Sequence, residues 1–150
     1  MDEPRWLDAE EMQIWRGFLA ASARVHQSVD EQLKRDSGMG LDDYEVLVHL
    51  SEAPEQRLRM TDLSDLLLHS QSRLSQRVDR LAKRGLVERQ KCPEDRRGTY
   101  AALTQQGREA LEQAARGHVA EVRRSMIDWI APRERAVLAS VFERLASETG

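Results

Sequence analysis

The strongest constraint lies between Met60 and Gly85, where two short helical patterns meet at a polar break. In Met60–Leu68, Leu63, Leu66 and Leu67 recur at helical spacing, and after His69-Ser70 a second pattern runs through Gln71–Arg84 to Gly85. Ser70 is suited to cap the second helix and Gly85 to end it, because a hydroxyl satisfies free N–H groups and glycine adopts the left-handed turn. Two helices joined so tightly have few ways to bury their apolar faces, and the arrangement reads as a helix-turn-helix.

The second helix is one-sided. Leu74, Val78 and Leu81 form a stripe that can pack on the first, while Gln71, Ser72, Arg73, Ser75, Gln76, Arg77 and Arg80 lie among the polar positions. Gln and Arg make paired hydrogen bonds to base edges, and Ser bonds bases or phosphates. An ordinary solvated helix face has the same look, so the following segment decides. Leu86–Lys91 alternates weakly as a strand, Cys92–Gly98 is a turn containing Asp95, Arg96 and Arg97, and Tyr100–Leu103 reads as the returning strand. A helix-turn-helix followed by an arginine-tipped hairpin is a winged arrangement, whose tip suits a narrow minor groove.

Charge is focused on this stretch. From His69 to Gly98 there are nine Lys/Arg and four acids, a net +5, within a chain whose formal charge is −3. The remainder is therefore −8, and an acidic protein with one basic segment implies a local polyanion site.

The run RMTDLSDLLLHSQSRLSQRVDRLAKRGLVERQKCPEDRRGTYAALTQQGREAL resembles the core of the MarR family of bacterial transcriptional regulators. The resemblance rests on Arg80–Arg89 (RLAKRGLVER), the wing motif Asp95-Arg96-Arg97-Gly98, and Leu103–Leu111 (LTQQGREAL), in that order and spacing. It implies a mainly α fold with a small β-wing: a winged helix-turn-helix at 41–104, flanked by helical dimerisation regions at 8–36 and 105–148. It also implies a homodimeric regulator, a repressor released by a small, aromatic anionic ligand, acting in the cytoplasm on a pseudopalindromic site in double-stranded DNA. The residues expected at DNA are Thr61, Ser70, Gln71, Ser72, Arg73, Ser75, Gln76, Arg77, Arg80, Asp95, Arg96 and Arg97. Arg77, Arg80 and Thr61 are assigned to phosphates, Arg97 to the minor groove, and Asp95 to orienting an arginine. A ligand pocket is expected around Trp15, Arg16, Phe18, Tyr44 and His49, although core packing suits most of these equally.

The flanks fit. Asp8 to Glu11 can form a capping box for a first helix reaching Arg35 or Asp36, with Met12, Trp15, Phe18, Leu19, Val25, Val29 and Leu33 on its stripe. Trp6 lies outside that helix, placed to pack across a partner. Asp42, with Glu45 three residues on, is expected to cap a second helix that Ala53-Pro54 stops, and Leu58 to form a short edge strand. Thr104 caps a fifth helix whose stripe runs to about Trp129, and Pro132 opens the last. Apolar faces on helices at both ends argue for a dimer, against an intramolecular three-helix packing.

Other classes find little support. No P-loop, G-x-G-x-x-G or G-x-S-x-G occurs, so no enzyme is expected. The four histidines share no ligand spacing, so neither metal nor cofactor is expected. No signal peptide or stretch of roughly 20 apolar residues points to a membrane. With one cysteine no internal disulfide is available. Cys92, beside Lys91 and near Arg89, supports an alternative as a redox-responsive regulator, since cations lower a thiol pKa. A winged helix used for protein contacts is the other alternative.

Overall fold

The computed structural model describes residues 3–147. Six helices and three strands follow in the order α1 (Ala9–Ser37), α2 (Leu41–Glu52), β1 (Arg57–Arg59), α3 (Met60–Leu67), α4 (Gln71–Lys83), β2 (Val87–Lys91), β3 (Thr99–Leu103), α5 (Gln105–Ser125) and α6 (Pro132–Ser147). The fold is mainly α with one small antiparallel sheet, ordered β1-β3-β2. Leu58 pairs with Ala101 and Arg89 with the same residue from the other side, so β3 is central and the β2–β3 hairpin is the wing.

Local chemistry sets the helix ends. Asp8 and Glu11 form the reciprocal box that opens α1: the Glu11 N–H donates to Asp8 Oδ1 at 2.8 Å and the Asp8 N–H to Glu11 Oε2 at 3.0 Å. The cap of α2 differs from expectation. It sits at Gly40, whose N–H donates to Asp43 Oδ2 at 3.3 Å, while Asp30 of α1 accepts the Leu41 N–H at 2.8 Å. Asp42 thereby falls in the first turn of the helix with its carboxylate turned to other partners. Ser70 caps α4 by accepting the Arg73 N–H at 3.1 Å. Gly85 follows α4 with φ +73°, a left-handed conformation that side chains disfavour. Thr104 Oγ1 accepts the Gly107 N–H at 3.0 Å and donates to Gly85 O at 2.6 Å, which ties the start of α5 to the end of α4. Helix α5 ends at Ser125, short of the expected Trp129, because the chain tightens into a single turn of 3₁₀ helix over Ile127–Trp129.

By its contacts the chain divides into two units. One runs from Val29 to His118; the other joins the residues up to Ser28 to those from Val119 onward. The boundaries fall inside α1 and α5. In the first unit Leu33, Met39, Val46, Leu47, Leu50, Leu63, Leu74 and Val78 have no solvent exposure, and Leu81 has 1 %. Helices α3 and α4 pack through Leu63, Leu74, Val78 and Leu81, as the apolar stripe requires. Gly107 permits the closest approach: a Cβ there would lie 2.0 Å from Leu86 O. The second unit consists of the first part of α1, the end of α5 and α6. Within it Ser28 and Arg124 both hydrogen-bond Glu121. Among the described residues it contains no buried side chain.

Candidate nucleic-acid interface

Helix α4 presents Gln71, Ser72, Arg73, Gln76 and Arg80 to solvent, opposite its buried leucines. Ser70 is spent on the cap, so its hydroxyl serves the helix itself. A groove of about 430 Å³ runs between α4, the start of α3 and the wing, and it collects Thr61, Gln71, Ser75, Asp95 and Arg97. Five residues that lie apart in sequence thus share one polar surface. Arg59 and Arg89 also line it.

The wing turn is held by its own main chain. Asp95 Oδ1 accepts the Arg97 N–H at 3.0 Å, the Gly98 N–H donates to Asp95 O at 3.0 Å, and the Cys92 N–H donates to Gly98 O at 3.0 Å. Asp95 therefore orients Arg97 through its backbone. The guanidinium groups of Arg96 and Arg97 are exposed and have no hydrogen-bond or ion-pair partner among the described residues.

Two arginines stand elsewhere. Arg77 donates from Nη1 to Asp43 Oδ1 at 2.7 Å and from Nη2 to Asp42 Oδ2 at 3.1 Å, with its side chain only 12 % exposed. Arg73 Nη2 reaches Asp42 Oδ2 at 3.0 Å. These carboxylates from the first turn of α2 neutralise part of the +5 segment, so the segment's charge overstates what faces solvent. Arg77 clamps α4 to α2 rather than projecting toward a phosphate; Arg73, being more exposed, keeps access to both.

Arg89 and Arg59 are not among the residues expected at DNA, yet both line this groove. Arg89 Nη2 donates to Ser75 Oγ at 2.8 Å and to Ser75 O at 3.0 Å, and Nε donates to Asp79 Oδ1 at 3.1 Å. It braces β2 of the wing against α4. Its signal was its place in a strand with alternating charge, where one side must face the preceding helix. Arg59 pairs with Glu94 at 3.6 Å and lies near the Tyr100 ring, over which Arg57 stacks at 4.5 Å.

Cys92 is 3 % exposed. Burial alone would push its thiol up. The N–H groups of Glu94 and Asp95, the Tyr100 hydroxyl and Arg59 outweigh that and hold it below its ordinary value.

The residues expected at a ligand pocket fall into both units. Trp15 and Phe18 stack at 6.5 Å and are half exposed, with Arg16 beside them on α1. In the other unit Tyr44 is buried against His118 at 4.3 Å, and His49 Nε2 lies 4.0 Å from Glu45. None of the five lines the groove above. Among the described residues no group of His, Cys, Asp and Glu could hold a metal ion, and no helix is long and apolar enough to cross a membrane.

Comparison with known proteins agrees with this geometry. A model of the MarR family matches residues 37–98. The HTH-type transcriptional repressor YetL of Bacillus subtilis (strain 168) is 25 % identical over 145 residues, 93 % of this chain and 85 % of that protein. YkoM of the same organism, an uncharacterised HTH-type transcriptional regulator, is 30 % identical over 89 % of this chain and 84 % of its own length. Among solved structures, Sco3205 of Streptomyces coelicolor, a MarR family regulator in complex with DNA, superposes with a TM-score of 0.93 at 42 % identity, covering 99 % of this chain and 92 % of its own. AbsC, a MarR family regulator from the same organism, gives 0.90 at 37 % identity, over 97 % and 98 %. A winged helix-turn-helix of this form, with relatives this similar along nearly its whole length, belongs to the MarR family of DNA-binding transcriptional regulators, which are not enzymes.

Proposed function

We propose that this chain is a homodimeric repressor that recognises a pseudopalindromic DNA site and is released by a small molecule. The observation that carries the DNA-contacting part is the shared surface of α4 and the wing, where Gln71, Ser75, Thr61 and Arg97 line one groove. In this reading α4 enters the major groove. Gln71, Ser72 and Gln76 face base edges, with Arg73 able to exchange Asp42 for a base or phosphate. Arg80 and Thr61 hold phosphates. Arg97, oriented by Asp95, enters the minor groove with Arg96 beside it, where a narrow groove concentrates negative potential. Arg77 contributes by holding α4 on α2, and Ser70 by capping α4.

The dimer is supported by the exposed apolar side chains of the unit in which no described residue is buried. It would carry two copies of α4 to half-sites about one DNA turn apart. Release would follow if a ligand favoured a spacing of those helices that the DNA cannot match. Trp15, Arg16, Phe18, Tyr44 and His49 remain the sequence-based candidates for such a pocket, and Trp15→Ala that left every ligand response intact would remove Trp15 from it. Action on chromosomal DNA places the protein in the cytoplasm in this reading.

Fluorescence anisotropy with duplex from upstream of its own gene, against a scrambled duplex and over a salt series, tests the DNA reading. Sequence-selective binding with a steep salt dependence is expected, because each neutralised phosphate releases counterions. Equally weak, salt-insensitive binding to both duplexes would refute it.

A further inference from the structure

Where α4 occupies a major groove and the wing the neighbouring minor groove, one sugar-phosphate strand has to run between them, because that strand is what separates the two grooves. Residues lining the space between α4 and the wing then meet phosphates rather than base edges. Three arginines line it. Arg97 is directed to the minor groove in the proposed reading, and Arg89 is bonded to Ser75 and Asp79. Arg59 is the third.

Arg59 is held in position by the sheet and the wing turn. It ends β1 and pairs across the strands with Tyr100 of β3. Cross-strand partners share a face, and the Arg59 guanidinium carbon lies 5.8 Å from the centre of the Tyr100 ring, within cation–π range. The guanidinium also lies against the wing turn, since a Cβ on Gly98 would be 3.6 Å from Arg59 Nη1. The side chain still keeps 35 % of its surface open to solvent. Helix α3 begins at the next residue, and among the described residues no side chain caps its first turn. Unpaired N–H groups and the positive end of a helix therefore adjoin Arg59, and both favour an anion.

The pairing of Arg59 with Glu94 is loose. Arg59 Nη2 lies 3.6 Å from Glu94 Oε2, outside hydrogen-bond range, and the Glu94 side chain is 81 % exposed. Exposed pairs of this kind contribute little and exchange readily. A phosphate can accept two parallel N–H bonds from one guanidinium and is the better partner.

We propose that Arg59 clamps the backbone phosphate that passes between the two grooves, and that Glu94 is a counter-charge competing with that phosphate for the same guanidinium. On DNA, Arg59 exchanges Glu94 for the phosphate while Tyr100 and Gly98 keep it in place. Phosphate contacts carry no base sequence, so Glu94 weakens binding to operator and non-operator duplex alike. The inference rests on the reading of α4 and the wing as the DNA-contacting surface.

The test uses full-length protein and duplex from upstream of its own gene, with affinities taken over a salt series and phosphate contacts mapped by ethylation interference. Arg59→Ala is expected to weaken binding roughly tenfold per half-site and to lower the salt slope by about one per half-site. One phosphate per half-site whose ethylation blocks the wild type should cease to matter to this variant. Arg59→Lys, which keeps the charge, should restore the slope. Glu94→Gln is expected to tighten binding roughly threefold per half-site, and that gain should shrink when Arg59 is already Ala. Both substitutions remove the same ion pair, so a merely structural role would weaken DNA binding in both. An unchanged slope in Arg59→Ala, an interference pattern identical to the wild type, or a Glu94→Gln gain of equal size with and without Arg59 would each overturn the proposal while leaving selective DNA binding intact. A wild-type chain that binds no duplex selectively would overturn it together with the reading on which it rests.

Discussion

The two units of the chain solve the problem of apolar surface in opposite ways. Between Val29 and His118, α2, α3, α4 and the sheet enclose a core in which nine large side chains have less than 2 % exposure. The other unit has long helices with equally regular apolar stripes, yet Trp6 is 81 % exposed, Trp129 83 % and Val137 65 %. Among the described residues, all the large exposed apolar side chains but Leu66 and Leu68 belong to it. A stripe at helical spacing therefore marks a face to be covered; whether the covering comes from the same chain is a separate matter. One unit folds around itself and carries the surface proposed to read DNA, while the other leaves apolar faces exposed that the proposed second copy would cover.

Substitutions can break that contrast at either end. The largest effect is expected from Phe18→Glu combined with Phe142→Glu, which places charge on the uncovered faces of α1 and α6. Dimerisation should be lost, and DNA affinity should fall roughly 10²–10⁴-fold as the second half-site ceases to be bound by the same particle. The circular dichroism of the Val29–His118 unit should persist. Undiminished dimerisation would show that these faces do not form the interface. In the self-contained unit, Leu74→Ala should cost about 2–5 kcal/mol in denaturant unfolding, because Leu74 is fully enclosed. A loss below about 1 kcal/mol would mean that the site relaxes and that the α3–α4 packing is looser than its burial implies.

The arginines of α4 sharpen the comparison between structural and DNA-facing charge. Arg77→Ala leaves Asp42 and Asp43 without their partly buried partner and should cost about 3 kcal/mol. Arg73→Ala, with a side chain 58 % exposed, should cost under about 1 kcal/mol. Equal losses would contradict the clamp assigned to Arg77. Arg97→Ala should leave stability unchanged but lower DNA affinity, reducing the salt slope by about one; an unchanged slope and affinity would remove the wing from the interface.

A smaller effect is expected from His118. Burial holds its imidazole below the ordinary value near 6.5, against an opposing pull from Glu45. The unfolded chain then takes up the proton first. Stability is constant above about pH 6.5 and declines as pH falls through that value toward the lowered folded one. His69 is shifted the same way, again chiefly by burial. His118→Gln should reduce the acid slope without abolishing it, measured as urea midpoints between pH 5 and 8. An unaltered slope would exclude His118 as a contributor.

Much of this architecture is written in local signals. The Asp8–Glu11 box, Ser70, Gly85, Thr104 and Pro132 mark helix ends by chemistry within a few residues, and each is found where that chemistry puts it. The pairing of Arg77 with Asp42 and Asp43 spans 35 and 34 residues. Helical spacing places Arg77 on a face of α4 but does not name what packs there. Asp42, with Glu45 three residues on, has the spacing of a cap. Gly40 took that role, with Asp43 reaching back, and Asp42 became an ion-pair partner. Arg89 was hidden for the same reason: a charge in a strand looks solvent-facing until the helix beside it is known.

Sedimentation velocity of the full chain, alone and with a duplex containing its operator, tests the central contrast most directly. A dimer at micromolar concentration and a complex of two chains per duplex are expected, with the Phe18→Glu, Phe142→Glu variant sedimenting as a folded monomer. A wild-type chain that stays monomeric both free and on DNA would contradict it, since the exposed faces of α1 and α6 would then have no second copy to cover them.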